Sequence, residues 1–339
     1  MNGKRNGIRP VSVRRAPPEV RVLLRDIQDT MGIPWAPANW RSYAVFPRAM
    51  QLFWERLRPA VVTESFLKDS LEITERAYRD VSRWYRPGYR PELLQEELHR
   101  LQWELDAFEF GNPQLLIQQA ALSRAMAGEV VGTTGECRPR TWFSSYRRPE
   151  IQLVEESHSP VEIRELYRDI RETLGLPLVN SDYLALAKWP EFLVPAWQDV
   201  KPWLRTEQYL GLQRELARMA QDAADRLCPP VRLDGRELLA AVEEPAQLEE
   251  LRAAVGIFTD LLPGLILNDA MFRIGAARGE PVEPLQPRGE EAPPESHRRE
   301  HRRLPAVRAR QAAAVVAGAL GIASFLAAGW SVIARGMDR

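Results

Sequence analysis

From about residue 19 to residue 275 apolar residues recur at gaps of three and four, with charged residues between them. Leu93, Leu94, Leu98, Leu101 and Leu105 are one such set, forming one face of an amphipathic helix. Alternating runs of β-branched residues are scarce, so the pattern predicts an all-α body. Three segments fall outside it. Residues 1–18 carry Lys4, Arg5, Arg9, Arg14 and Arg15 with little apolar content and read as a basic disordered arm. No apolar run follows those charges, so the arm is not a signal peptide. Residues 276–311 are rich in Pro, Glu and Arg and read as a solvated linker, because they hold too little apolar surface to offset ordering. Ala312 to Ala334 is a run of 23 uncharged residues bracketed by Arg310 and Arg335, with Trp330 near one end. At about 1.5 Å per residue it can cross a bilayer core of about 30 Å.

The body repeats itself. Residues 20–84 align without gaps on residues 163–227 at an offset of 143, with 18 identities in 65 pairs. Chance would give roughly four at average residue usage. The identities include Asp26/Asp169, Gly32/Gly175, Pro34/Pro177, Pro47/Pro190, Trp54/Trp197, Pro59/Pro202, Thr63/Thr206 and Glu64/Glu207. Shared glycines and prolines mean shared turns. A weaker match aligns Phe110–Leu122 with Phe258–Ala270 at an offset of 148. The prediction is two helical halves, 19–127 and 161–275, packed as a pseudo-dimer and joined by a crossover over 128–160. The linker, the span at 312–334 and a short tail at 335–339 complete the chain. Trp54 and Trp197 read as core, and the Thr–Glu pairs as helix caps or inter-helix pairs.

Composition narrows the function. Lys+Arg and Asp+Glu both total 46, so the net charge is zero and no dominant field for nucleic acid is expected. The two cysteines, Cys137 and Cys228, stand in no zinc spacing, and there are four histidines, so no metal centre is expected. Low cysteine usage fits a reducing cytosol. The positive charges lie overwhelmingly before the span, which predicts a tail anchor with the body facing the cytoplasm. The basic cluster from His297 to Arg303 would then contact anionic lipid.

Symmetry breaking points to chemistry. Asn39 pairs with Asp182, an amide against a carboxylate, and Asp182 lies among apolar neighbours. Its plainest role is an N-cap, by itself or with Ser181; the alternative is a reactive carboxylate. Gly111-Asn112-Pro113 interrupts a helical pattern and predicts a loop with Asn112 capping the helix that follows. The alternative is an amide aimed at a ligand.

Several motifs occur in order: Gly32-Ile-Pro-Trp35, Phe46-Pro47, Phe108-Glu-Phe-Gly-Asn-Pro113, Ser181-Asp182-Tyr183, Trp189-Pro190 and Arg205-Thr-Glu-Gln-Tyr209. In this combination the chain resembles the group I 2-haloacid dehalogenases, also called the halocarboxylic acid dehydrogenase family, over about residues 20–275. The resemblance implies an all-helical pseudo-dimer with the active site between its repeats, acting on small 2-halocarboxylic acids of either hand without metal or organic cofactor. It assigns Asp182 as the catalytic carboxylate and Asn112 as the residue that positions water. It places Trp35, Ala38, Ser181 and Phe258 around the substrate. Two positions depart from the family pattern: Ala38 replaces a Phe and Phe258 a Tyr, which enlarges the pocket and removes a hydroxyl.

Displacing halide from a saturated carbon requires a nucleophile behind the C–X bond. An Asp can take the proton of an attacking water, contributing about 10²- to 10⁴-fold, and an Asn amide can hold that water. The residues alone leave direct attack by Asp182 open; the resemblance favours direct hydrolysis with inversion and no ester. The departures at Ala38 and Phe258 keep two alternatives in play, a non-enzymatic tethered scaffold or carboxylate sensor and a hydrolase of another small acid. A homo-oligomer is left open.

Overall fold

The computed structural model describes residues 10–144, 149–279 and 289–291. Repeat 1 consists of α1 (Pro18–Met31), α2 (Ala38–Tyr43), α3 (Pro47–Val61), α4 (Glu64–Trp84) and α5 (Gln95–Met126). Repeat 2 consists of α6 (Val161–Leu174), α7 (Ser181–Leu186), α8 (Pro190–Val200), α9 (Glu207–Asp225), the short α10 (Gly235–Ala240) and α11 (Pro245–Ala276). The one sheet among the described residues pairs β1 (Trp142–Ser144) antiparallel with β2 (Gly289–Glu291). The fold is all-α, as the periodicity predicts.

The duplicated residues build duplicated structure. Gly32 and Gly175 both end their helices at positive φ, 74° and 65°, where a side chain would be strained. Thr63 caps α4 by accepting from Phe66 N, and Thr206 caps α9 by accepting from Tyr209 N, both at 3.3 Å. Trp54 Nε1 donates to Asp26 at 2.6 Å and Trp197 Nε1 to Asp169 at 2.7 Å, so each buried indole is fixed by the carboxylate of its own repeat. At the centre, α4, α5, α9 and α11 pack against one another, and α5 on α11 is the most extensive pair. That makes a pseudo-dimer whose seam is built from both halves. Since α5 and α11 are covered on several sides, they are buried all round over Ala107–Leu122 and Leu262–Arg273 rather than along one stripe.

Several expectations need correcting. The Gly-Asn-Pro segment does not break the chain: α5 runs through it for 32 residues. Pro113 leaves Glu109 O without its helical donor, and Thr74 Oγ1 supplies one at 2.9 Å from α4. Neither Ser181 nor Asp182 is a cap, since Asn180 precedes α7 and makes no side-chain cap bond. The long helices match at an offset of 150 rather than 148, with Pro113 over Pro263 and both ends in step. Leu94 lies just before α5 and is 74% exposed. The arm is shorter than expected, for Val11 N donates to Arg41 O and Ala16 is buried. Residue 276 belongs to α11 and residues 289–291 to the sheet, so the linker is not uniformly unstructured. Residues 1–9, residues 280–288 and 292–311 of the linker, the expected span at 312–334 and the tail at 335–339 lie outside the described residues.

Cys137 and Cys228 form a disulfide, a pairing at odds with the reducing compartment that low cysteine usage suggests. It ties the crossover to the chain leaving α9. Among the described residues one helix, Pro245–Ala276, is long and apolar enough to cross a membrane, and it is mostly buried in the core.

Candidate active site

Asn112 stands halfway along α5, at the level where α7 packs on it. Its Nδ2 donates to Asp182 Oδ1 at 2.6 Å and to Asp269 Oδ2 at 2.7 Å, so both amide protons are spent on carboxylates. That leaves its carbonyl oxygen free to accept. All three side chains are buried. Asp182 and Asp269 also make side-chain hydrogen-bond contact with each other. Burial pushes both carboxyls above the usual carboxylate range, and the negative charge of Asp182 pushes Asp269 further.

Packing fixes this trio. Asn268 Nδ2 donates to Tyr183 OH at 2.8 Å, and Tyr209 OH donates to Asn268 Oδ1 at 2.9 Å. Those bonds hold the residue after Asp182 and the residue before Asp269. Trp35 lies across α5 with its ring 4.4 Å from that of Phe108. Its indole rests on Gly111, where an added Cβ would collide with it, so the glycine next to Asn112 admits the tryptophan. Ala38 begins α2 and Ser181 begins α7, immediately before Asn39 and Asp182. Ser181 Oγ is buried without a hydrogen-bond partner. Phe258 sits on α11 edge-on to Tyr43, 6.3 Å between ring centres. The structure thus joins Asn112 and Asp182 directly, packs Trp35 on Gly111 next to Asn112, keeps Ser181 beside Asp182 in the chain, and puts Phe258 on the side of α11 that faces α2.

A cavity of about 1030 Å³ opens in repeat 2, lined among others by Asn180, Tyr183, Leu265, Asn268, Lys201 and Arg205. None of the six expected residues lines it. The sequence reading missed Asp269. The signal was there: Asn268-Asp269 is a polar pair inside the apolar run Leu261–Phe272.

Fold and site define an all-helical, duplicated protein that buries two carboxyls and an amide at the seam between its repeats. The family model described as halocarboxylic acid dehydrogenase DehI matches residues 34–183. An (R)-2-haloacid dehalogenase of Pseudomonas putida is 31% identical over 277 residues, covering 78% of this chain and 92% of that protein. A configuration-inverting 2-haloacid dehalogenase of Alcaligenes xylosoxydans xylosoxydans is 26% identical over 263 residues, 74% of this chain and 87% of the relative. A solved complex of D-2-haloacid dehalogenase with L-LA superposes with a TM-score of 0.76 at 30% identity, covering 79% of this chain and 96% of the other. The chain belongs to the halocarboxylic acid dehydrogenase family.

Proposed function

We propose that this protein hydrolyses small 2-halocarboxylic acids, with Asp182 as the base that draws a proton from the attacking water. The observation that carries this is the Asn112–Asp182 bond at 2.6 Å in a buried seam. The bond orients the carboxylate and leaves the Asn112 carbonyl oxygen to hold the water. The water attacks carbon from behind, the C–X bond breaks, halide leaves with the bonding pair, and the proton passes to Asp182. In this reading Trp35, Ala38 and Phe258 stand on the apolar side of the bound substrate, outside the cavity of repeat 2. Ser181 Oγ, which has no partner, is available to the substrate carboxylate. A relative named configuration-inverting is consistent with this chemistry. Inversion alone does not separate the routes, since attack by Asp182 on the carbon would invert it too.

Two measurements test the proposal. Halide release from D- and L-2-chloropropionate and monochloroacetate should occur with the wild type and be lost in Asp182→Asn. A single turnover in ¹⁸O-water should put the label in the product; label in Asp182 would establish the ester route instead. No release from any of the three acids would favour the sensor or another small acid, the readings that Ala38 and Phe258 motivate.

We also propose that residues 312–334 tether the body to a membrane, with the basic cluster against anionic headgroups. The charge bias favours a body on the cytoplasmic side; the Cys137–Cys228 bond favours an oxidising side. Thiol labelling of the two cysteines in intact vesicles of each orientation, with and without reductant, tells these apart.

A further inference from the structure

The hydrolysis proposed above leaves one proton in a buried site at every turnover. Asp182 must lose it before it can act again, and Asp182 itself is sealed from solvent. We infer that Asp269 shares the proton with Asp182 and passes one outward along α5, through Glu109 to Asp106. The inference rests on the reading of Asp182 as the base.

Two buried carboxyls in hydrogen-bond contact cannot both be ionised, so at rest one of them holds a proton. Asp269 is the holder. It is 0% exposed, and Glu109 adds a second negative charge near it. The groups that face it are Asp182 and Tyr183 from α7, Asn112 and Glu109 from α5, Tyr209 from α9 and, one turn further along its own helix, Arg273.

From there a column of ionisable groups leads outward. Asp106, Glu109 and Asn112 are spaced by three on α5, and Asp269 and Arg273 by four on α11, so each set shares one face of its helix. Arg273 Nη1 lies 2.8 Å from Glu109 Oε2 and its Nε 2.9 Å from Asp106 Oδ1. Side-chain exposure rises along the column, from 2% at Glu109 to 30% at Asp106. Burial pushes Glu109 up to about 7, where a carboxyl both takes and gives a proton near neutrality.

The column exists on one side of the pseudo-dimer. At the offset of 150, Gln119 stands for Asp269, Ser123 for Arg273, Gly256 for Asp106 and Thr259 for Glu109. None of these titrates. The acidic path is present only beside the repeat that carries Asp182.

The protons balance. At rest Asp182 is charged, Asp269 is neutral and Glu109 is ionised against Arg273. Attack of water makes Asp182 neutral. Asp269 then gives its proton to Glu109 and takes the one from Asp182. Glu109 releases it by way of Asp106 to solvent, and the resting state returns.

The test compares full-length wild type, Asp269→Asn and Glu109→Gln, reading rapid-mix halide release, kcat and kcat/KM against pH. Both variants should show a first-turnover burst followed by a steady state at least about tenfold slower. Values of kcat/KM should hold nearer to wild type, and the acidic limb of the kcat profile should move. Glu109→Gln is remote from the reacting atoms, so its burst reports the relay even if Asp269→Asn fails to fold. Equal losses in kcat and kcat/KM, with no burst and an unchanged pH profile, would overturn the relay and leave Asp269 structural. Turnover persisting in Asp182→Asn would instead overturn the base reading, and the relay with it.

Discussion

The two halves of the seam carry the same scaffold and opposite chemistry. At the pseudo-symmetric position the residues matching Asp182, Asp269 and Asn112 are Asn39 and Gln119 from repeat 1 and Leu262 from repeat 2. Trp40 Nε1 donates to Gln118 at 3.1 Å, as Asn268 donates to Tyr183, so the frame around each set is preserved. Yet the first set has no carboxylate. Gln119 accepts from Tyr43, and neither side-chain atom of Asn39 has a hydrogen-bond partner. The two halves share what holds the helices together, and only one of the two equivalent sites carries charge. A carboxylate buried in both places would double the desolvation cost.

Exchanging the chemistry is the sharpest way to break this comparison. Asp182→Asn should lower halide release by about 10²- to 10⁴-fold. The reverse change, Asn39→Asp, should create no second site, because Leu262 offers no amide there. It should instead lower stability by about 2–4 kcal/mol at pH 8. The sign follows from burial, which raises the folded-state pKa of the new acid above its unfolded value near 3.9. The loss should therefore be absent below about pH 4 and grow as pH rises through the folded value. Urea denaturation from pH 4 to 8 measures it.

The disulfide is the next asymmetry. Cys228 matches Tyr85, which hydrogen-bonds Asp199 instead of closing a loop. The 91-residue separation across the bond predicts that Cys137→Ser with Cys228→Ser costs about 4 kcal/mol, seen as a lower Tm with the site chemistry intact.

Changes to shared features should cost the same in both halves. Trp54→Phe and Trp197→Phe each remove an indole donor to a carboxylate and should cost about 2 kcal/mol apiece. Thr63→Ala and Thr206→Ala remove matching caps and should cost about 1 kcal/mol apiece. A difference above about 1 kcal/mol within either pair, by urea denaturation, would show that the two halves are not energetically equivalent.

Much of this was legible in the chain because it is local. Helical periodicity, the turn glycines and the threonine caps arise from short-range spacing, and duplication printed each of them twice. Even Asn112 and Asp182 stood out, one beside Gly-Pro in a helical pattern and one as a carboxylate against its twin's amide. What the local signals said about conformation there was misleading. Gly-Asn-Pro reads as a break, yet Thr74, from another helix, supplies the donor that lets α5 continue.

The rest was decided by tertiary contact. Asn112 lies 70 residues from Asp182 and 157 from Asp269, and only the packing of α5 against α7 and α11 brings the three within hydrogen-bond reach. Cys137 meets Cys228 for the same reason. The sequence by itself determined the helices, their turns and their duplication, since backbone propensity and hydrophobic period act over a few residues. Tertiary structure alone decided which buried polar groups face one another, because the cost of burying a charge depends on partners that come from distant parts of the chain.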